Sequence, residues 1–76
     1  MNIKYFAERI NKELNSAGFP LNMDERSKAF AKSFKINAFQ ASAVLQGKLS
    51  PSETLLAALS DEFEVPIDVL MGNKQK

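Results

Sequence analysis

Residues 28 to 47 read KAFAKSFKINAFQASAVLQG, and the way the apolar side chains fall along them decides the fold. Phe30, Ala31 and Phe34 lie on one face of a helix, and Ala41, Val44 and Leu45 lie on one face of another. Lys35, Ile36 and Asn37, between them, leave room only for a tight turn. Asn37 is a good N-cap, because its side-chain oxygen can accept one of the backbone N–H groups that a first helical turn leaves free. Gly47 is the residue type that ends helices in a left-handed conformation. The expectation is two short helices, at about 24 to 34 and 38 to 46, joined by a three-residue turn.

Working outward, Ile3, Phe6, Ala7, Ile10, Leu14 and Ala17 recur at helical spacing and predict a first helix over about 3 to 17. Gly18 ends it and Pro20 prevents its resumption. Asn22 followed by Glu25 has the spacing of a capping box, and Asp24 is a competing cap. Downstream, Ser50 as cap, Pro51 in the first helical position and Glu53 completing the box predict a helix over 51 to 63. Its core face is Leu55, Leu56, Leu59 and Phe63. A short last helix, 66 to 71, is expected to bury Ile67 and Leu70 before Gly72 stops it. No segment alternates with the period of a strand. The reading is all-α: one five-helix domain over 1 to 72, with a polar tail at 73 to 76.

The 76 residues suffice for one domain with a small core. With 45% hydrophobic and 25% charged residues, the chain lies outside the composition of disordered proteins. Cysteine and histidine are both absent, which removes disulfides, thiolate chemistry, the common zinc sites and imidazole acid–base catalysis. No serine has a nearby base and there is no glycine-rich phosphate loop, so the expectation is a protein that is not an enzyme and uses no cofactor. Asp61, Glu62, Glu64 and Asp68 lack the alternating ligands and central glycine of a calcium loop, so no metal is expected. Charges interrupt the N-terminal apolar residues before a signal peptide could form, and no apolar run could cross a membrane. A cytoplasmic location follows as the expectation.

The net charge of +1 conceals a division along the chain. Residues 26 to 48 carry Arg26, Lys28, Lys32, Lys35 and Lys48 with no acid, whereas residues 49 to 73 carry Glu53, Asp61, Glu62, Glu64 and Asp68 with no base. A surface of positive sign is therefore expected around the two central helices, and a negative one to orient approach from the far side.

From Ser27 onward these residues resemble the helix-turn-helix domains of the Xre group and the phage lambda repressor and Cro. Phe30, Ala31, Phe34, Ile36, Ala41 and Val44 occupy the positions that the family buries, with Ala31 at its closest helix approach. GKLSPSETLLAALSDEFEVPIDVLMG is similar to the family's continuation of loop, capped helix, valine and short helix ending in glycine. One position departs: the family commonly has Gly where this chain has Lys35, which implies a strained left-handed lysine or a different turn.

The resemblance implies a lambda-repressor-like fold and sequence-specific binding of double-stranded DNA by a small bacterial or phage transcriptional regulator, a repressor in the first instance, associated with the nucleoid when bound. The recognition helix, 38 to 46, would enter the major groove, and a homodimer would read a two-fold operator. Ala38, Phe39, Gln40, Ser42 and Ala43 would face the bases. Ser27, Lys28, Lys35, Asn37, Gln46 and Lys48 would face phosphates, while helix rotation leaves Arg26 and Lys32 open.

The recognition surface holds no Arg or Lys, so it lacks the bidentate guanine contact; Gln40 toward adenine and Ala43 or Phe39 toward a thymine methyl imply A·T-containing half-sites. Phe39 reads equally as an outward contact or, with a modest rotation, as a buried side chain. Tyr5, Phe19, Leu21 and Met71 are candidates for a dimer interface. The same uncharged helix also supports a rival reading, in which the third helix docks a protein, as an antitoxin or adaptor would.

Overall fold

In the computed structural model, which describes residues 2 to 72, the helices are α1 (Ile3–Ala17), α2 (Met23–Phe34), α3 (Ala38–Leu45), α4 (Glu53–Phe63) and α5 (Ile67–Leu70). No strand occurs among the described residues. The predicted tail at 73 to 76 lies outside them. The Cα radius of gyration is 11.2 Å, matching the value of about 11 Å expected for a compact chain of this length.

Local chemistry sets the helix starts. Asn2, Asn22 and Asn37 each accept the backbone N–H three residues on, at 3.0, 3.1 and 2.7 Å. Asn22 is therefore the cap of α2, and Asp24 and Glu25 lie in its first turn, where they favour the positive end of the helix dipole.

The start of α4 differs from the expectation. Ser52, not Ser50, is its cap, with Oγ accepting from the Leu55 N–H at 3.1 Å. Both serines offer the same acceptor. What separates them is Pro51, whose ring is buried ahead of the helix instead of forming its first turn.

The helix ends share one device. Gly18, Lys35, Gly47, Glu64 and Gly72 follow the five helices and all have positive φ, between 55° and 85°. At Lys35 (φ 58°) and Glu64 (φ 55°) the strained residue has a side chain. The following N–H groups pay back part of that strain by closing onto the helix: Ile36 N–H on the Ala31 carbonyl at 3.0 Å and Val65 N–H on the Ser60 carbonyl at 3.2 Å.

The core is built from Phe6, Ile10 and Leu14 of α1, Phe30 and Ala31 of α2, Ala41, Val44 and Leu45 of α3, Leu55, Leu56 and Leu59 of α4, and Leu70 of α5. Phe34, Ile36 and Phe63 pack against its edge. The Phe34 ring lies between Phe30 and Phe63, with centroids at 4.9 and 6.4 Å. Ile3, at the start of α1, is half-buried, and two further residues of the expected apolar faces are exposed. Ala17 is exposed where α1 outruns the core. Ile67 is 37% exposed, because α5 is a single turn with one inward direction, which Leu70 takes.

The largest departure is Arg26, read from its place on α2 as a solvated cation. It is 4% exposed. Its Nε donates to the Pro20 carbonyl at 2.7 Å and its Nη1 to the Asn11 carbonyl at 3.3 Å and to Asn11 Oδ1 at 2.9 Å. Nη2 donates to Asn15 Oδ1. The guanidinium is thus held by neutral oxygens of α1 and of the loop after it. Asn11 extends the link, donating through Nδ2 to the Ala7 carbonyl at 2.8 Å and to the Leu45 carbonyl at 3.0 Å. One hydrogen-bonded chain therefore joins α2, α1 and the C-terminus of α3, and fixes how α3 is presented.

Candidate nucleic-acid interface

α3 owes its position to Ala41, Val44 and Leu45, which are buried and turn the opposite side of the helix to solvent. Phe39 is on that side and is 84% exposed, which resolves its orientation as outward. Ala38, Gln40 and Gln46 are exposed, and Ser42 and Ala43 are half-buried. Gln46 Nε2 donates to Ser42 Oγ at 2.6 Å, so these two polar side chains are partly engaged with each other.

A groove of about 450 Å³ runs along this face, lined by Phe39, Ser42, Ala43, Gln46, Lys48 and Leu49. It brings together four of the expected contact residues of α3 with Lys48 from the loop beyond it. Leu49 was not among the expected contacts. Its signal in the sequence is slight: a lone apolar residue between Lys48 and Ser50, in a stretch that reads as loop.

The expected phosphate contacts separate into different situations. Lys35 and Lys48 are exposed just outside the two ends of α3, and Lys32 is exposed on α2. Lys28 is exposed and pairs with Asp24 one turn earlier at 3.6 Å, an arrangement between solvated groups worth well under about 1 kcal/mol. Asn37 is exposed, with its side-chain oxygen committed to capping α3.

Ser27 does not fit its expected role. It is buried at 4% exposure, and its hydroxyl has no hydrogen-bond partner among the described residues. Arg26 is likewise withdrawn from the surface. Of the five cations in residues 26 to 48, the four lysines remain exposed.

The acidic residues Glu53, Asp61, Glu62, Glu64 and Asp68 are all exposed on α4, α5 and the connection between them. A groove of about 510 Å³ there is lined in part by Asp61 and Glu64, a poor seat for an anion. Of the candidate dimer residues, Leu21 alone is fully exposed, at 82%. Phe19 and Met71 pack against the core, and the Tyr5 ring lies against Gly72. No helix among the described residues is long and apolar enough to cross a membrane.

Comparison of the chain with protein-family models, curated proteins and solved structures finds no match.

Proposed function

We propose that this chain is a helix-turn-helix domain of the lambda-repressor kind that binds double-stranded DNA as a small transcriptional regulator, with α3 in the major groove. The observation that carries the reading is the outward face of α3: uncharged, free of carboxylates, and bracketed by the exposed Lys35 and Lys48. A protruding helix with cations at both ends suits a polyanion whose readable edges lie between two rows of phosphates. The α3 backbone N–H groups behind Asn37 add the positive end of a helix dipole.

Two copies on a two-fold operator would place their recognition helices about 34 Å apart, and a molecule 31 Å in its longest dimension fits such spacing side by side. The exposed Phe39 favours the rival, a protein-docking module that uses α3.

Electrophoretic shifts with mixed genomic fragments over a salt series distinguish the two. The DNA reading requires binding that weakens steeply with salt, and loses about two units of log–log salt slope per half-site when Lys35 and Lys48 are both changed to Glu. No shift at low salt, or an unchanged slope in the double variant, would leave the protein-docking reading in its place.

A further inference from the structure

Resting on the DNA reading, we infer that Phe39, Ala43 and Leu49 form an apolar seat for the 5-methyl group of thymine, so that thymine is the base this domain selects. The three side chains line one groove with Lys48. Phe39 is 84% and Leu49 40% exposed, so both present apolar surface to solvent.

The polar members of the groove are partly engaged with each other. Ser42 and Gln46 are bonded to each other at 2.6 Å, which occupies one donor of Gln46 and one acceptor site of Ser42. Among the major-groove edges of the four base pairs, the thymine methyl is the apolar feature, and the remaining groups are donors and acceptors. Charge complementarity is the argument for DNA as the occupant. The groove has no carboxylate in its lining, Lys48 stands in its wall, and Lys35 is exposed just before α3.

The test uses the whole chain and duplexes selected by it from a random pool. In the best selected duplex, each thymine is replaced in turn by deoxyuridine, which removes the methyl and nothing else. Replacement at the seated thymine should weaken binding about fourfold per half-site, the effect of losing one buried methyl group.

Phe39→Ala and Leu49→Ala should weaken binding to the thymine duplex and bind the deoxyuridine duplex equally well. Both positions are solvent-facing, and far-ultraviolet circular dichroism verifies that each variant keeps its helices. Equal affinity of the native chain for thymine and deoxyuridine at every position overturns the inference while leaving DNA binding standing, as does discrimination that survives in both variants. Absence of any salt-dependent shift overturns the DNA reading itself, and the thymine seat with it.

Discussion

Arg26, on α2, donates from Nη1 to Oδ1 of Asn11, on α1, over 2.9 Å. No carboxylate among the described residues lies within ion-pair distance of this buried guanidinium. Its charge is solvated by the oxygen dipoles of Pro20, Asn11 and Asn15. Such a group is costly to disturb from either side, since removing the donor strands several acceptors and removing an acceptor strands part of a cation.

Arg26→Met and Asn11→Leu should each lower unfolding stability by about 2 to 4 kcal/mol. The double variant should lose much less than the sum, because the two side chains share one network. Urea unfolding followed by circular dichroism measures all three. Additive losses would show that the two residues act independently.

Ser27 presents the opposite case, a buried hydroxyl without a partner among the described residues. Ser27→Ala removes the unsatisfied group and keeps the shape, and should stabilise the fold by about 1 kcal/mol, raising the midpoint by roughly 4 to 8 °C for a chain of this size. DNA affinity should not change. A lowered midpoint would mean that the hydroxyl is satisfied in the folded protein, and a loss of DNA affinity would return Ser27 to the interface.

The contrast between Arg26 and the helix signals shows which parts of this molecule the chain states locally. Caps such as Asn37 and the stripe Ala41, Val44 and Leu45 act within four residues, so spacing alone reveals them. The stripe alone leaves Phe39 open, because a modest rotation of α3 would bury it, and only the packed structure turns it outward. Arg26 could not be read this way. Its acceptors are six, eleven and fifteen residues upstream, and a cation between Glu25 and Ser27 looks like any solvated helical charge. Leu49 is similar, since its place beside Phe39 depends on how the loop after Gly47 folds back along α3. Ser50 and Ser52 are chemically equal caps, and only the burial of Pro51 distinguishes them.

Gly72 and Gly18 both have positive φ and differ in their surroundings. A Cβ built on Gly72 would lie 2.8 Å from Cδ2 of Tyr5, whereas at Gly18 it would meet nothing within 4 Å. Gly18→Ala should therefore cost only the backbone strain, about 1 kcal/mol. Gly72→Ala should cost about 1 to 3 kcal/mol more, from overpacking against the ring. Tyr5→Ala in the Gly72→Ala background should recover part of that excess relative to Tyr5→Ala alone. Thermal unfolding of the five proteins checks it, and equal losses for the two glycine variants would place the Tyr5 ring elsewhere.

Lys35 and Glu64 hold the same left-handed conformation at the ends of α2 and α4, at φ 58° and 55°. Either residue changed to glycine releases strain of about 1 kcal/mol, so both variants should unfold at higher temperature. Their effects on DNA should differ, because one variant removes a cation bracketing α3 and the other removes an acid at the end of α4. Lys35→Gly should bind DNA more weakly and lose about 0.9 unit of log–log salt slope per half-site, the contribution of one neutralised phosphate. Glu64→Gly should bind at least as tightly as the native chain. The pair separates backbone strain from charge: a midpoint that falls for both would deny the strain, and a salt slope unchanged in Lys35→Gly would remove Lys35 from the interface while leaving its strain intact.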